Sequence, residues 1–296
     1  MPAPSPRAQA AHQAACVAGE DHYIDPDTGY FVFTAVELER RERCCGAGCR
    51  HCPFGHAQVR PARREVLATD PWIAERGDWS DAPCDVLSWS GGKDSMLALA
   101  RMLAEAARPV VLLSTFDGRS HRVAHQEITT DDLRAQAQAL GLPLVLVPLS
   151  SEADYLDRLA LGLQRIRRER TITRLAFGDL HLEHIRDWRE ASIGPVAAAA
   201  GASLTYPLWQ VSYDLLMSAF EASGAAATVS AVAHSGLQRV LQPGAPFGRA
   251  LVEALPDGID AFGENGEYHS CAAPPSARAL ADGWRAAAAM HATPNG

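Results

Sequence analysis

Short apolar runs alternate with longer amphipathic segments through the middle of this 296-residue chain. The apolar runs are rich in branched residues, which is typical of buried strands. The segments between them space their apolar residues at helical intervals. The pattern predicts strands starting at 85, 110, 144, 172 and 204 and helices over 96–107, 128–140, 153–169 and 183–200. Repeated strand–helix units imply an α/β fold, a doubly wound parallel sheet with helices on both faces.

The regions on either side differ from this central domain. Residues 23–34 contain a Pro–Gly turn followed by strand-forming residues, which predicts a hairpin. The predicted division is a disordered lead at 1–19, a small Cys-rich domain at 20–58, a linker at 59–83, the α/β domain at 84–206, a smaller C-terminal subdomain at 207–275 and a tail at 276–296. The Ala-rich part of the tail predicts a short helix over 277–290.

Composition and charge narrow the classes of function. Hydrophobic residues make up 47% of the chain, which is enough for a buried core, and the formal net charge is −8. An acidic chain disfavours broad contact with nucleic acid, which usually needs a basic surface. The chain has no apolar run long enough to cross a bilayer and no charged-then-apolar leader. We therefore expect no membrane span and a cytoplasmic location.

The most informative segment is the loop 90–95, Ser-Gly-Gly-Lys-Asp-Ser, between the first predicted strand and the first predicted helix. Gly91 and Gly92 let the backbone pass close to a ligand because they carry no Cβ. Amides at a helix start, together with the serine hydroxyls, donate to phosphate oxygens. The loop is not a Walker A sequence, because that motif needs four residues between its glycines. It predicts a phosphate-binding loop of another type.

Charged and polar side chains extend this predicted site. Lys93 adds a positive charge, and Asp94 offers an oxygen ligand for Mg²⁺. Ser114-Thr115 and Gly178-Asp179 fall at the ends of later predicted strands. In sheets of this kind ligands bind beyond the carboxyl ends of the strands, near the switch in strand order. We therefore expect these segments to converge on one edge of the sheet.

A second polar block lies far from the loop in sequence. Between residues 263 and 269 the chain has two glycines, two glutamates, an asparagine and a histidine. Such a block is too polar to lie in a core, so the sequence predicts a loop here. The loop either takes part in binding or catalysis or is a polar surface loop without such a role.

These segments together resemble a known family. Residues 85–275 are similar to the diphthine–ammonia ligase (diphthamide synthase) branch of the PP-loop ATP pyrophosphatases, which are adenine nucleotide alpha hydrolases with a Rossmann-like, HUP-type fold. The matching motifs are Ser-Gly-Gly-Lys-Asp-Ser at 90–95, Gln-Ala-Gln-Ala-Leu-Gly-Leu-Pro at 136–143, Ala-Phe-Gly-Asp-Leu at 176–180 with Arg186, Pro-Leu-Trp at 207–209 and Gly-Glu-Asn-Gly-Glu-Tyr-His-Ser at 263–270. The chain departs from the family at Ala261-Phe262, where a cysteine is frequent, and at Ser270, where threonine is common.

The resemblance implies an amide-forming ligase. ATP would adenylate a carboxylate with loss of pyrophosphate, and ammonia would then displace AMP. The implied cofactors are ATP and Mg²⁺, and the implied partners are a small-molecule or protein carboxylate and ammonia. The implied catalytic residues are Lys93, Asp94, Asp179, Glu264 and Glu267. The implied ATP-binding residues are Ser90, Gly91, Gly92, Lys93, Asp94, Ser95, Ser114, Thr115 and Gly178, and the implied substrate-binding residues are Asn265, Gly266 and His269.

Alternatives to these assignments stay open. Asp179 is equally well interpreted as a helix N-cap, and Trp209 is interpreted as a packing residue. A PP-loop enzyme that transfers sulfur to RNA would use the same adenylation, and five arginines between 165 and 174 form a local basic run. A run of this kind is usually a solvated helix face. A nucleotide-binding module without turnover is the third possibility.

Four of the seven cysteines lie within nine residues. The segment Cys-Cys-Gly-Ala-Gly-Cys-Arg-His-Cys-Pro at 44–53 resembles a small uncharacterised bacterial domain. Clustered cysteines in a chain without an export signal favour metal or redox chemistry over disulfides. The predicted ligands of a Zn²⁺ ion or an iron–sulfur cluster are Cys44, Cys45, Cys49 and Cys52, with Cys16, Cys84, His51 or His56 as further candidates. Free or redox-active thiols are the alternative.

Overall fold

The structure is a computed structural model that describes residues 4–47, 49–54, 58, 70–79, 82–105, 108–124, 126–150, 154–234 and 236–292. The chain divides into two compact units. Unit 1 comprises Met1–Ala68 with the short segments Gly118–Ser120 and Leu149–Tyr155, and unit 2 comprises the remainder. His56, His125 and most of the predicted linker lie outside the described residues.

Unit 1 begins with a helix where the sequence predicted a disordered lead. Its elements are α1 (Pro6–Ala18), β1 (His22–Ile24), β2 (Phe31–Phe33) and α2 (Ala35–Glu39). The Ser5 hydroxyl accepts from the Ala8 amide, Pro6 occupies the first turn, and Gly19 ends the helix in the left-handed conformation. These are complete start and stop signals for a helix. The prediction of disorder was wrong because it weighed composition and overlooked the caps.

The predicted hairpin at 23–34 is present in unit 1. Strands β1 and β2 pair antiparallel, with Tyr23 opposite Val32. Tyr23, Val32 and Ala15 of α1 form a small buried cluster. The helix therefore buries one face against the hairpin, which explains why it is ordered.

Unit 2 is built on a six-stranded sheet in the order β3-β6-β5-β4-β7-β8. The strands are β3 (Trp72–Glu75), β4 (Cys84–Ser88), β5 (Val110–Asp117), β6 (Leu144–Leu149), β7 (Ile172–Ala176) and β8 (Ser203–Thr205). Strand β4 pairs in parallel with β5 on one side and β7 on the other, and β8 is parallel to β7. Strand β3 pairs antiparallel with β6 at one edge, so a segment predicted as linker contributes a strand.

Helices follow the strands as the sequence pattern predicted. They are α3 (Lys93–Glu105), α4 (Thr130–Leu140), α5 (Tyr155–Arg167), α6 (Glu183–Trp188) and α7 (Gly194–Ala199). The single helix predicted over 183–200 is interrupted, because a π-helical turn at Arg189–Ile193 joins α6 to α7. The strand order reverses at β4, which is the switch point where such sheets bind ligands. The predicted doubly wound α/β fold is confirmed.

The C-terminal region adds a second layer to unit 2. It comprises α8 (Tyr213–Ala222), β9 (Ala226–Val232), α9 (Arg249–Ala254), β10 (Tyr268–Ala273) and α10 (Ala277–Ala292). Strands β9 and β10 form a separate antiparallel pair. Helix α10 buries Leu280, Trp284 and Ala287 and packs on α3 and α8. Within the described ranges, no helix combines the length and the apolar character that crossing a bilayer requires.

Helix α10 meets α8 at a glycine, which gives a stability prediction. A Cβ on Gly283 would lie 2.5 Å from the backbone N and Cα of Ser223, whereas a Cβ on Gly194 would meet nothing within 4 Å. We expect Gly283→Ala to destabilise the protein by about 1–3 kcal/mol through overpacking. Gly194→Ala should be neutral or stabilising by up to about 1 kcal/mol, because alanine is the better helix former. Equal thermal midpoints for the two variants would contradict the packing described here.

Candidate nucleotide-binding site

The glycine-rich loop is held in place by bonds to β10 and α4. Gly91 has a φ of +79°, which glycine adopts without strain. Its carbonyl accepts from the Ala272 amide of β10 and from Gln136 Nε2 of α4 at 3.0 Å. Gln136 also accepts from Trp89 Nε1 at 2.9 Å and donates to the Ala272 carbonyl at 2.7 Å. Sequence reasoning placed Gln136 only within a family motif and missed this role in ordering the loop.

Three predicted ATP-binding serines make hydrogen bonds that stabilise the loop, two of them within the loop and the third from β5. Ser90 Oγ donates to Ser95 Oγ at 3.2 Å, and Ser95 Oγ is also placed to donate to the Gly92 carbonyl at 2.9 Å. Ser114, buried in β5, donates to the Trp89 carbonyl at 2.5 Å. Ser95 and Ser114 are both buried, so they shape the loop from beneath it. Thr115, the next residue of β5, is half-buried.

Lys93 is almost fully buried, with 2% of its surface exposed. Its Nζ donates to the Phe262 carbonyl at 2.5 Å and to Asp94 Oδ2 at 2.9 Å. The rings of Phe247, Phe262 and Tyr268 surround the ammonium, with centroids 5.4–5.5 Å from Nζ. The predicted catalytic cation therefore faces the C-terminal block, and its contact with a phosphate stays a prediction.

The Gly178-Asp179 segment lies directly beside the loop. A Cβ on Gly178 would lie 3.0 Å from the Asp94 carbonyl oxygen, which is tighter than an ordinary contact, so glycine favours this close approach. Asp179 makes a two-armed ion pair with Arg189, at 2.6 Å and 2.9 Å. The N-cap residue of α6 is Leu182, so the helix-cap interpretation of Asp179 is wrong. Arg189, which sequence reasoning missed, lies in the π-helical turn.

Glu264 joins the same group of carboxylates. Its Oε1 accepts from the Leu180 amide, just after Asp179, at 2.9 Å. Burial, with the neighbouring carboxylate of Asp94, raises the pKa of Glu264 to about 8. Burial also raises the pKa of Asp94, although Lys93 opposes that shift. Asp94 Oδ1 is buried without a hydrogen-bond partner among the described residues. Glu264 therefore holds a proton over much of the neutral pH range.

The buried Glu267 carboxylate makes hydrogen bonds that stabilise the turn formed by the polar block at 263–269. It is 6% exposed, and its Oε1 accepts from the Asp260 amide at 3.0 Å and from Asn265 Nδ2 at 3.1 Å. Gly266 has a φ of +83°, and His269 stands opposite Ala231 in the β9–β10 pair. The block forms a folded turn that leads into β10, so its polar composition did not prevent burial.

Sequence reasoning missed two residues that shape this turn. Asp260 Oδ1 accepts from the amides of Phe262 and Glu264 at 2.8 Å and 3.1 Å. Tyr213 donates to Asp260 Oδ2 at 2.5 Å. An aspartate that accepts from amides two and four residues later is a common turn device, so Asp260 had a local signal. Tyr213 had none, because it reaches the site from α8.

The structure thus brings most of the predicted site residues into one neighbourhood. The loop 90–95, Gly178-Asp179, Glu264 and Glu267 meet at the switch point of the sheet, under β10. The predicted substrate residue Asn265 is exposed at the surface of the turn. The four clustered cysteines belong to unit 1.

The cysteines approach one another in two pairs. Cys45 and Cys49 Sγ atoms are 3.5 Å apart, and those of Cys44 and Cys52 are 3.9 Å apart. Thiolates around one tetrahedral Zn²⁺ at about 2.3 Å stand roughly 3.8 Å apart, so each pair fits that spacing. No group of three or more metal-ligating side chains, searched over the described ranges, is arranged to hold an ion. The four-thiol metal site therefore stays a prediction.

Neighbouring residues fix the Cys49–Cys52 segment. Arg50 donates to the buried Asp25 at 2.7 Å. His51 Nε2 is 2.8 Å from the Tyr23 hydroxyl, and its ring stacks on His12 at 3.5 Å. Burial, with His12 nearby, lowers the pKa of His51 to about 4. These contacts engage His51 elsewhere, which disfavours it as a fourth ligand.

Metal analysis tests the cysteine prediction directly. We expect protein purified without oxygen to carry near-stoichiometric zinc or iron, and Cys49→Ser or Cys52→Ser to release it, because each substitution removes one thiolate. Cys271→Ser, which alters a cysteine of β10, is the matched control. A metal-free wild-type protein would leave the cysteines as free or redox-active thiols.

Two family models match parts of this chain, one in unit 1 and one mostly in unit 2. Residues 85–194 match the family model described as the diphthamide synthase N-terminal domain. Residues 11–58 match a model described as a family of unknown function (DUF5522). Both resemblances seen in the sequence are confirmed over these ranges. Residues 85–194 are therefore similar to the N-terminal domain of diphthamide synthases, and the block at 263–270 lies beyond the matched residues.

One solved structure also shows similarity. It is described as the crystal structure of a predicted subunit of tRNA methyltransferase from Methanocaldococcus jannaschii. The sequences share 22% identity, and the alignment covers 45% of this chain and 72% of that chain with a TM-score of 0.29.

Proposed function

We propose that this protein is an ATP-dependent ligase that adenylates a carboxylate and converts it to an amide. The observation that carries the proposal is the meeting of the Ser-Gly-Gly-Lys-Asp-Ser loop with Gly178-Asp179 and Glu264 at the switch point of the sheet. The family match over residues 85–194 supports the nucleotide part of this proposal. The carboxylate cluster supports the acceptor part, because it offers groups that exchange protons near neutral pH.

The loop supplies the phosphate-binding part of the mechanism. Its two glycines leave the backbone without side chains, and the positive dipole end of α3 favours an anion at the loop. The Lys93 amide donates to Ser270 Oγ, so the later amides of the first turn are the ones left for a phosphate. Lys93 adds a charge beneath the loop. These fixed groups favour the pyrophosphate that departs when the carboxylate attacks the α-phosphorus of ATP.

The carboxylates fit a magnesium ion that accompanies ATP. Asp94 has one buried oxygen without a hydrogen-bond partner in the described part of the chain, and carboxylate oxygens are the ligands that Mg²⁺ prefers. When bound, the ion would neutralise phosphate charge. A bound cation would also offset the charge of Asp94, which, together with burial, raises the pKa of Glu264 in the free protein.

Glu264 is the residue we assign to the acceptor half of the reaction. A carboxyl group with a pKa of about 8 exchanges a proton readily at neutral pH. It would take the proton that ammonia loses as the amide forms and AMP leaves. Glu267 acts as a positioning residue, because its bonds to Asp260 and Asn265 hold the turn that carries Glu264.

The basic run at 165–174 gives little support to the RNA-modifying alternative. Arg174 pairs with the buried Asp85 at 2.5 Å, and Arg165 pairs with Glu169 at 2.8 Å. The buried Arg170 stacks on Trp79 at 4.6 Å. Most of these arginines therefore interact with other side chains of the protein, and few are left to contact the phosphates of a nucleic acid.

Product analysis tests the proposed function. Protein incubated with ATP, Mg²⁺, ammonium and a panel of carboxylic acids should form AMP and pyrophosphate, together with an amide of one of the acids. Formation of ADP and phosphate would overturn the proposal. Pyrophosphate release that requires co-purified RNA instead of an acid would favour the RNA-modifying alternative.

A further inference from the structure

Arg186 lies on α6 and stacks on two aromatic side chains. Its guanidinium carbon is 4.8 Å from the ring centroid of Trp209 and 5.3 Å from that of Tyr206. Stacking of this kind holds a guanidinium flat and leaves its N–H edges available. Trp209, which the sequence analysis interpreted as a packing residue, therefore serves as a stacking platform, and it is only half-buried.

Arg186 has no anionic partner within the described ranges, in contrast to its neighbour Arg189. Arg189 lies three residues later on the same helical segment and is fully engaged by the Asp179 carboxylate. Arg186 makes no hydrogen bond or ion pair with a described carboxylate. A half-buried cation that is oriented by two rings and makes no ion pair with a described side chain is a feature of an anion-binding site.

The position of Arg186 places it near the nucleotide loop but apart from it. Tyr206 and Trp209 follow β8, Gly178-Asp179 follow β7, and the glycine-rich loop follows β4. These strands are neighbours in the order β4-β7-β8. Adjacent strands lie about 4.8 Å apart, so the Arg186 platform stands roughly 10 Å along the sheet edge from the loop. The π-helical turn at Arg189–Ile193 follows at once, and such turns are frequent at functional sites.

We propose that Arg186, on its Tyr206–Trp209 platform, binds a second carboxylate of the acid substrate. This inference rests on the proposed function and names the substrate class: an acid with two carboxylates separated by a short chain. One carboxylate reacts with ATP at the loop and loses its charge. The other keeps its charge, and the planar guanidinium holds it through two parallel N–H···O bonds.

Burial and charge around the platform favour this assignment. Burial and the nearby Glu190 carboxylate raise the pKa of Tyr206, so the phenol stays neutral. Glu190 interacts with Tyr206 and makes no ion pair with Arg186 among the described residues. The Arg189 guanidinium stacks on Phe177 at 4.1 Å and already neutralises Asp179.

Calorimetric titration with defined probes tests the inference. The wild-type protein, loaded with Mg²⁺ and α,β-methylene-ATP, is titrated with succinate, glutarate, adipate and, as the monocarboxylate, butyrate. We expect at least one dicarboxylate to bind on the order of 10–100-fold more tightly than butyrate, the range for a charge-assisted pair of hydrogen bonds. Arg186→Met should abolish that preference and leave the affinity for the ATP analogue unchanged.

Two further variants separate the platform from general effects. Arg186→Lys keeps the charge but loses the planar fork, so it should recover only part of the preference. Arg168→Met removes an exposed arginine beyond the carboxyl-terminal end of α5 and should behave as the wild type. Thermal melting of each variant shows whether the fold is kept.

Several results would overturn the inference. One is a wild-type protein without a dicarboxylate preference, and another is a preference that survives in Arg186→Met. Loss of affinity for the ATP analogue in Arg186→Met would assign Arg186 to the nucleotide phosphates. AMP and pyrophosphate formation with monocarboxylates alone would defeat the inference and leave the proposed function standing. ADP formation would defeat the proposed function and leave the binding results intact.

Discussion

Replacement of Lys93 by alanine should reduce pyrophosphate release by roughly 10²–10³-fold, which is the effect of losing one preorganised group that stabilises transition-state charge. Lys93 begins α3 beneath the loop. Its ammonium is the cation that the structure places between the loop and the C-terminal block, bonded to Asp94 and to the Phe262 carbonyl. No apolar residue can restore that charge. The measurement is pyrophosphate release at saturating ATP and acid.

A methionine variant separates chemistry from packing at this position. Lys93 is buried among three rings, so alanine would also leave a cavity and lower stability. Lys93→Met fills the same space without the charge. We expect Lys93→Met to melt close to the wild-type protein and still lose turnover. Normal turnover in Lys93→Met would show that the charge is dispensable and that the site is misplaced.

Replacement of Glu264 by glutamine should lower amide formation by about 10²-fold or more, because it removes a proton-exchanging group. The amide side chain keeps the size of glutamate and can still accept from the Leu180 amide. Nucleotide affinity should therefore stay within a few-fold of the wild-type value. Equal losses of affinity and product formation would instead assign Glu264 to the nucleotide pocket.

The Glu264→Gln substitution should also change how the free energy of unfolding depends on pH. The folded-state pKa of Glu264 is raised to about 8 from the ordinary value of 4.5, so the folded protein holds a proton that the unfolded chain has lost. Between about pH 4.5 and pH 8 the free energy of unfolding therefore falls as the pH rises. Each unit of pKa shift corresponds to about 1.4 kcal/mol.

Glu264→Gln should flatten this decline. Unfolding titrations at intervals from pH 5 to pH 8 measure it, and Glu253→Gln, which alters an exposed glutamate of α9, serves as the control. An unchanged slope in Glu264→Gln would show that Glu264 is ionised in the folded protein, and would remove it as the proton-exchanging group.

The sequence predicted the central fold well because local patterns and topology agreed there. Each strand of the parallel sheet is an apolar run, and α4 has an explicit capping box at Thr129 and a left-handed glycine at Gly141. The predicted strands at 85, 110, 144, 172 and 204 all lie within or next to observed strands. Prediction was poorer for strands whose formation depends on tertiary packing. Strand β3 is a short edge strand of mixed pattern, and β10 follows a polar turn, so neither had a clear periodicity.

The candidate site shows the same division. The loop, Gly178-Asp179 and Glu264 were identified from residue types and spacing. Their meeting followed from the rule that parallel strands present their carboxyl ends at one edge. Gln136, Asp260 and Arg189 were not singled out, because their role is to bond residues that are distant in sequence or to complete a turn. The helix-cap role of Asp179 was excluded because α6 is capped at Leu182, and Asp179 pairs with Arg189, a partner that no local pattern specifies; its catalytic role stays a prediction.

The sequence by itself determined the doubly wound domain, the glycine-rich loop between its first strand and helix and the similarity of residues 85–194 to diphthamide synthases, because glycine, helix-start and strand signals act over a few residues. Only the tertiary structure decided that Lys93 is buried, that Glu264 lies near Asp94, and that Arg186 stacks on Tyr206 and Trp209 without an ion-pair partner among the described residues. Each of these features depends on which side chains, distant in sequence, are packed together in the protein interior, where the dielectric constant is low. Burial and proximity set the free energy of a charge there, and neither is encoded in any short stretch of the chain.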